Sequence, residues 1–74
     1  HQANIGFIDG AKVRVRIPPE RFCVNIDRYG NTSAASIPMM VDELNRSGRL
    51  KRGDLLALCA FGGGLSSAAC ILRW

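Results

Sequence analysis

The sequence predicts an α/β chain with the element order α-β-α-β-β, and three features carry that prediction. Ile37, Met40, Val41 and Leu44 fall at i, i+3, i+4 and i+7, the spacing of a helix face laid on a sheet. Leu55 to Phe61 is apolar throughout, Gly62-Gly63-Gly64 breaks it, and Ser66 to Leu72 resumes, which reads as a hairpin with a glycine turn. Ahead of these, Tyr29-Gly30-Asn31-Thr32-Ser33-Ala34-Ala35-Ser36 forms a polar elbow between an alternating run and the helix.

In chain order, Ala3, Ile5, Phe7, Ile8 and Ala11 fit a helix from Gln2 to about Lys12. Gly6 and Gly10 each weaken it by about 1 kcal/mol relative to Ala, and their spacing would let another backbone pack closely. Val13-Arg14-Val15-Arg16-Ile17 then alternates with a strand period, so this stretch has two readings until Pro18-Pro19 ends it. Phe22, Val24 and Ile26 alternate with Cys23, Asn25 and Asp27, which predicts a strand over 22 to 28. That strand delivers Asn31 to its carboxyl end, where open α/β sheets build their sites.

At the elbow, Gly30 permits a sharp exit and Thr32 or Ser33 caps the helix. Pro38 either starts the regular part of that helix or kinks its first turns, and Met39 and Met40 read as core filler. Asp42 and Arg46 are spaced to pair on the wet side, and Gly48 supplies a left-handed stop. Arg52-Gly53-Asp54, between helix and strand, reads as a turn. The run from Leu55 suits a strand covered on both faces, which asks for more protein than 74 residues provide.

Composition bounds the function classes. Cys23, Cys59 and Cys70 are odd in number and lie in apolar runs, which predicts reduced, buried thiols in a cytoplasmic protein. No Cys/His metal spacing occurs, no run approaches a membrane span, and no signal peptide is visible. A chain opening His-Gln-Ala-Asn is expected to be a piece of a longer protein. The net charge of +4 and pI near 9.5 favour an acidic partner, but one Trp, one Tyr and three Phe make a poor stacking platform for nucleic acid.

His1-Gln2-Ala3-Asn4, the elbow Tyr29 to Ser36, and Phe61-Gly62-Gly63-Gly64 before a strand ending Leu72-Arg73-Trp74 together resemble 3-oxoacyl-(acyl carrier protein) synthase III. The resemblance runs in register over residues 1 to 74, and implies the C-terminal end of that enzyme's thiolase-like fold, in which two duplicated α/β halves stack in five layers. It implies a condensing acyltransferase of type II fatty acid synthesis. A cysteine on an N-terminal half, outside these residues, takes an acyl group from acyl-CoA, and malonyl on acyl carrier protein then decarboxylates and attacks the thioester. The isolated fragment is expected to be inert.

By the same resemblance, His1 and Asn31 are the catalytic partners of that cysteine, both donating to the malonyl thioester oxygen without either being ionised. The amide of Gly63 joins the oxyanion hole, Asn4 and Phe61 line the pantetheine arm, and Gln2, Ala3, Asn4, Ile5 and Gly6 form the carrier-docking segment. The resemblance implies no metal, no tightly held cofactor and a homodimer. Alone, a histidine at a chain end would be an exposed side chain; the residues after it give it this meaning.

Three positions depart from the family pattern. Gly6 stands where an arginine tied to the acidic carrier is usual, with Lys12, Arg14, Arg16 and Arg21 as electrostatic substitutes or plain surface. Arg16 replaces the glycine that usually ends the first helix, and Ser66-Ser67-Ala68 replaces Thr-Trp-Gly in the last strand. Two alternatives stand beside the main reading. One is a related thiolase-fold enzyme of secondary metabolism, making an alkylquinolone or polyketide starter; the other is a small basic module that binds alone.

Overall fold

A computed structural model describes residues 1–74. Three helices precede one antiparallel hairpin: α1 (Ile5–Arg14), α2 (Ile26–Tyr29), α3 (Ser36–Arg46), β1 (Leu55–Gly62) and β2 (Ser66–Arg73). One 3-10 turn, Pro19–Arg21, lies between α1 and α2, and a second, Ser33–Ala35, runs straight into α3.

In α1 the helical reading prevails through Arg14, and the alternating stretch supplies only an extended exit at Val15. Asn4 caps it, its Oδ1 accepting from the Gly6 amide at 2.7 Å. Because Val15 leaves in extended backbone, no left-handed residue is needed there, which accommodates Arg16 in place of a glycine.

The strand expected over 22 to 28 does not form. Cys23 to Asn25 joins no ladder, because the only two strands pair with each other, and a lone extended run has nothing to hold it. From Ile26 the chain winds into α2, closed by amides of Arg28 and Tyr29 donating to the Asn25 carbonyl at 3.0 and 3.1 Å. Gly30 ends it at φ 69°, the positive angle expected of that glycine.

Neither Thr32 nor Ser33 caps α3. The second 3-10 turn is continuous with the helix, so carbonyls of Thr32 and Ser33 already hold the amides of Ala35 and Ser36. Thr32 Oγ1 instead lies 3.2 Å from Ser36 Oγ. Pro38 occupies the first turn, where its missing amide proton is not needed. Asp42 and Arg46 pair at 2.8 Å as spaced. After Ser47, Gly48 at φ 76° turns the chain left-handed, with Gly48 N donating to the Asn45 carbonyl and Arg49 N to that of Leu44, a Schellman stop.

The hairpin pairs Leu55 with Arg73 through Gly62 with Ser66, around a Gly63-Gly64-Leu65 turn in which Gly64 takes φ 113°. Lys51 to Asp54 forms a turn closed by Asp54 Oδ2 on the Lys51 amide at 2.8 Å, as expected of the Arg-Gly-Asp stretch. Met40, Leu44 and Leu50 form the core, with Cys23, Val41 and Leu56 packed against it. Only alternate residues of β1, from Leu56 to Ala60, are half-covered; its other face and all of β2 are exposed, so the double coverage expected of the run from Leu55 is absent.

The cysteines follow from this bare hairpin: Cys59 and Cys70 are exposed and Cys23 half-buried, not the buried thiols expected. Phe7, Val13, Leu65 and Ile71 are 74, 87, 91 and 71 % exposed, apolar surface of the kind that marks a contact with further protein. No helix is long and apolar enough to cross a membrane.

Candidate active site

The first residue of the chain is held from three sides. The His1 backbone nitrogen donates to the Cys59 carbonyl, Nδ1 lies 2.8 Å from the Phe61 carbonyl oxygen, and Nε2 lies 3.1 Å from Asn31 Oδ1. β1 therefore carries the histidine, and α2 with its glycine exit brings the asparagine to it. Beside them opens a cleft of about 380 Å³ lined by His1, Ser33, Ala34, Ile37 and the stretch Ala60 to Gly63.

These contacts orient the ring. A carbonyl only accepts, so Nδ1 must donate to Phe61. Asn31 Oδ1 also accepts from the Ser33 amide at 2.8 Å, which orients the carboxamide with its oxygen toward both Ser33 and the ring. Both imidazole nitrogens thus face oxygens of the protein. The Asn31 NH2 group makes no bond to protein and stays available to a ligand.

Ser33 stands at φ 52°, the one non-glycine residue with positive φ. Local strain of this kind collects at functional sites. The sequence offered Ser33 only as a cap; its role in orienting Asn31 and lining the cleft had no separate signal.

Of the other residues singled out, Phe61 and Gly63 line the cleft. Asn4 is exposed and spends its Oδ1 on capping α1. A Cβ added at Gly6 would sit 3.0 Å from that oxygen, so any larger residue there must displace the cap slightly. In the segment Gln2 to Gly6, Asn4, Ile5 and Gly6 face outward, Ala3 is half-buried, and Gln2 points inward and is buried. Among the basic residues considered with it, Lys12 pairs with Asp9 at 3.6 Å. No three His, Cys, Asp or Glu side chains cluster as metal ligands.

Behind the site Glu43 accepts from Asn25 Nδ2 at 3.0 Å and from Arg28 Nη2. The Asn25 hydrogen bond, then that of Arg28, holds its carboxyl below the ordinary value of 4.5. A lowered folded value means that the ionised carboxylate adds stability above about pH 4.5, and that this is lost as pH falls through the depressed value. Urea midpoints of wild type and Glu43→Gln should therefore differ at neutral pH and converge on acidification; a constant gap would contradict the assignment.

The α/β chain thus sets a histidine and a glycine turn in one cleft, with an asparagine against the histidine. A family model described as 3-oxoacyl-[acyl-carrier-protein] synthase III C terminal matches residues 1–74. The chain is 54 % identical over its whole length to a beta-ketoacyl-[acyl-carrier-protein] synthase III of Rhodopirellula baltica, of which it spans 21 %. It is 55 % identical, again over its whole length, to the synthase III 2 of Deinococcus radiodurans, spanning 22 %. The crystal structure of the Thermus thermophilus synthase III superposes with a TM-score of 0.94 at 51 % identity, covering all of this chain and 23 % of that one. The chain belongs to the 3-oxoacyl-[acyl-carrier-protein] synthase III C-terminal family and has its thiolase-like fold; it spans about a fifth of the length of the curated relatives it matches.

Proposed function

We propose that these residues are the C-terminal portion of the second thiolase-like half of a cytoplasmic condensing enzyme of type II fatty acid synthesis, supplying the His1 and Asn31 of a Cys-His-Asn set. The observation that carries this reading is the 3.1 Å approach of His1 Nε2 to Asn31 beside an open cleft that reaches Gly63.

The reaction runs in two stages. A cysteine from the remainder of the enzyme attacks acyl-CoA as thiolate, expelling CoA and forming an acyl-thioester. Malonyl on acyl carrier protein then loses carbon dioxide, and its thioester oxygen gains negative charge as the enolate forms. His1 Nε2–H and the Asn31 NH2 donate to that oxygen. The enolate carbon attacks the acyl carbonyl, whose oxyanion meets the Gly63 amide, and collapse expels the cysteine thiolate and leaves 3-oxoacyl-carrier protein. Each step uses hydrogen bonds and a thiol, so the scheme calls for no metal or tightly held cofactor.

Pantetheine passes Phe61 and Asn4, and the carrier docks near Gln2 to Gly6. The exposed apolar surface of α1 and the hairpin supports a remainder of the enzyme, and a second copy in a homodimer, packed against it. The same surface counts against a small module acting alone.

Gly6 in place of the usual arginine favours a second reading, a secondary-metabolism relative less dependent on the carrier. The full-length protein, given acyl-CoA with either malonyl-carrier protein or free malonyl-CoA, should prefer the carrier-bound form and release one carbon dioxide per product. Equal use of both would favour the second reading, and no condensation with either would reject the proposal.

A further inference from the structure

Behind the cleft lie two buried polar side chains, Gln2 and Asn25, 7 % and 4 % exposed, with every polar atom engaged. Gln2 Oε1 accepts from the amides of Asn25 and Ile26 at 2.8 and 2.9 Å, and Gln2 Nε2 donates to Asn25 Oδ1 at 2.7 Å. Asn25 Nδ2 passes the chain on to Glu43 of α3, which also holds Arg28. The two carboxamides are locked head to tail: rotating either would set donor against donor and acceptor against acceptor with no water to compensate.

This cluster joins the segments that bear the two proposed catalytic groups. Gln2 is bonded directly to His1, while Asn25 opens α2, whose far end passes through Gly30 into Asn31. α2 is a short lever, braced by its own backbone bonds and tied through Asn25 and Arg28 to Glu43 on α3. Shifting Asn25 against Gln2 therefore shifts Asn31 against His1. Resting on the catalytic reading above, we infer that Gln2, Asn25 and Glu43 are a positioning relay that sets the His1–Asn31 separation; none of the three touches the cleft.

The test is Asn25→Asp in the full-length enzyme. The new side chain is isosteric and still accepts from Gln2, but presents an oxygen where Nδ2 stood 3.0 Å from Glu43 Oε2. Two carboxylates this close repel, which favours a shared proton between them. The charges facing them are Arg28 of α2 and Arg49 beyond α3, with Asp27 acting on Arg28, while the N-terminal segment contributes only the neutral Gln2 amide. At low pH the shared proton donates to Glu43 in place of the amide and the relay closes; as pH rises that proton leaves and repulsion opens it.

The ratio of variant to wild-type kcat should fall as pH rises, by up to roughly 10²-fold, the scale of an ångström-sized misplacement, with little change in KM. A merely structural role would change the amount of folded enzyme and leave kcat per folded molecule level across pH. A flat ratio overturns the relay. Should Asn25→Asp not fold, Glu43→Met carries the same test by removing the acceptor of Asn25 Nδ2: a lower kcat at unchanged KM supports the relay, and full kcat overturns it. His1→Ala in the same assay reports on the catalytic reading itself. If it keeps condensing, that reading fails; if it loses activity while the Asn25→Asp ratio is flat, only the relay fails.

Discussion

Asn31→Asp in the full-length enzyme is expected to lower kcat for condensation by roughly 10²- to 10³-fold, the scale of losing one oxyanion donor. Folding should be nearly untouched, within about 0.5 kcal/mol, because residue 31 is exposed and either carboxylate oxygen can still accept from the Ser33 amide. The damage is electrostatic. On the proposed mechanism, the substitution replaces the free NH2 donor with an oxygen carrying negative charge, and aims that charge at the place where the thioester oxygen becomes negative. It also sets a carboxylate oxygen about where Oδ1 now stands, 3.1 Å from His1 Nε2. Asn31→Ala, which removes the donor without adding charge, should lose less. Stopped-time assays of carbon dioxide release from malonyl-carrier protein, with urea midpoints alongside, separate the two effects; an Asn31→Asp enzyme of normal rate would remove Asn31 from the reaction.

What could be read from the residues alone was what local chemistry decides. Met40, Val41 and Leu44 pack as their spacing requires while Ile37 of the same face lines the cleft, Gly30 and Gly48 take positive angles, and the hairpin breaks at its glycines. Residues 22 to 28 misled because period-2 alternation signals a strand only where a neighbour exists to complete the ladder. Here the competing interaction came from Gln2, 23 residues away, which captures the amides of Asn25 and Ile26 at the start of a helical turn. The cap at the elbow was misjudged for a similar reason, since carbonyls of the preceding turn took the place of a hydroxyl. Contacts of long separation leave no period in a sequence.

The histidine shows the same division. Its identity and its partner Asn31 were visible through the motifs around them, yet the contact that orients its ring was not, because that comes from the Phe61 carbonyl of β1, 60 residues on. The backbone of β1 thus shapes the chemistry of a side chain at the opposite end of the sequence.

The glycine turn offers the second large effect, because its neighbouring glycines do different work. Gly64 sits at φ 113°, an angle that L side chains rarely adopt, so Gly64→Ala strains the hairpin and should lower stability by about 1–2 kcal/mol. Gly63 has no positive φ, and a Cβ built on it meets no atom within 4 Å, so the fold tolerates Gly63→Ala. Yet Gly63 forms part of the cleft wall beside His1, where its amide would face an oxyanion. A methyl group there keeps the amide proton but stands in the thioester's approach. Gly63→Ala should therefore retain its urea midpoint and lose about 10²-fold in kcat, while Gly64→Ala should shift the midpoint and keep most of its activity per folded molecule. If Gly63→Ala turned over normally, the acyl carbonyl would have to meet its donors elsewhere in the cleft.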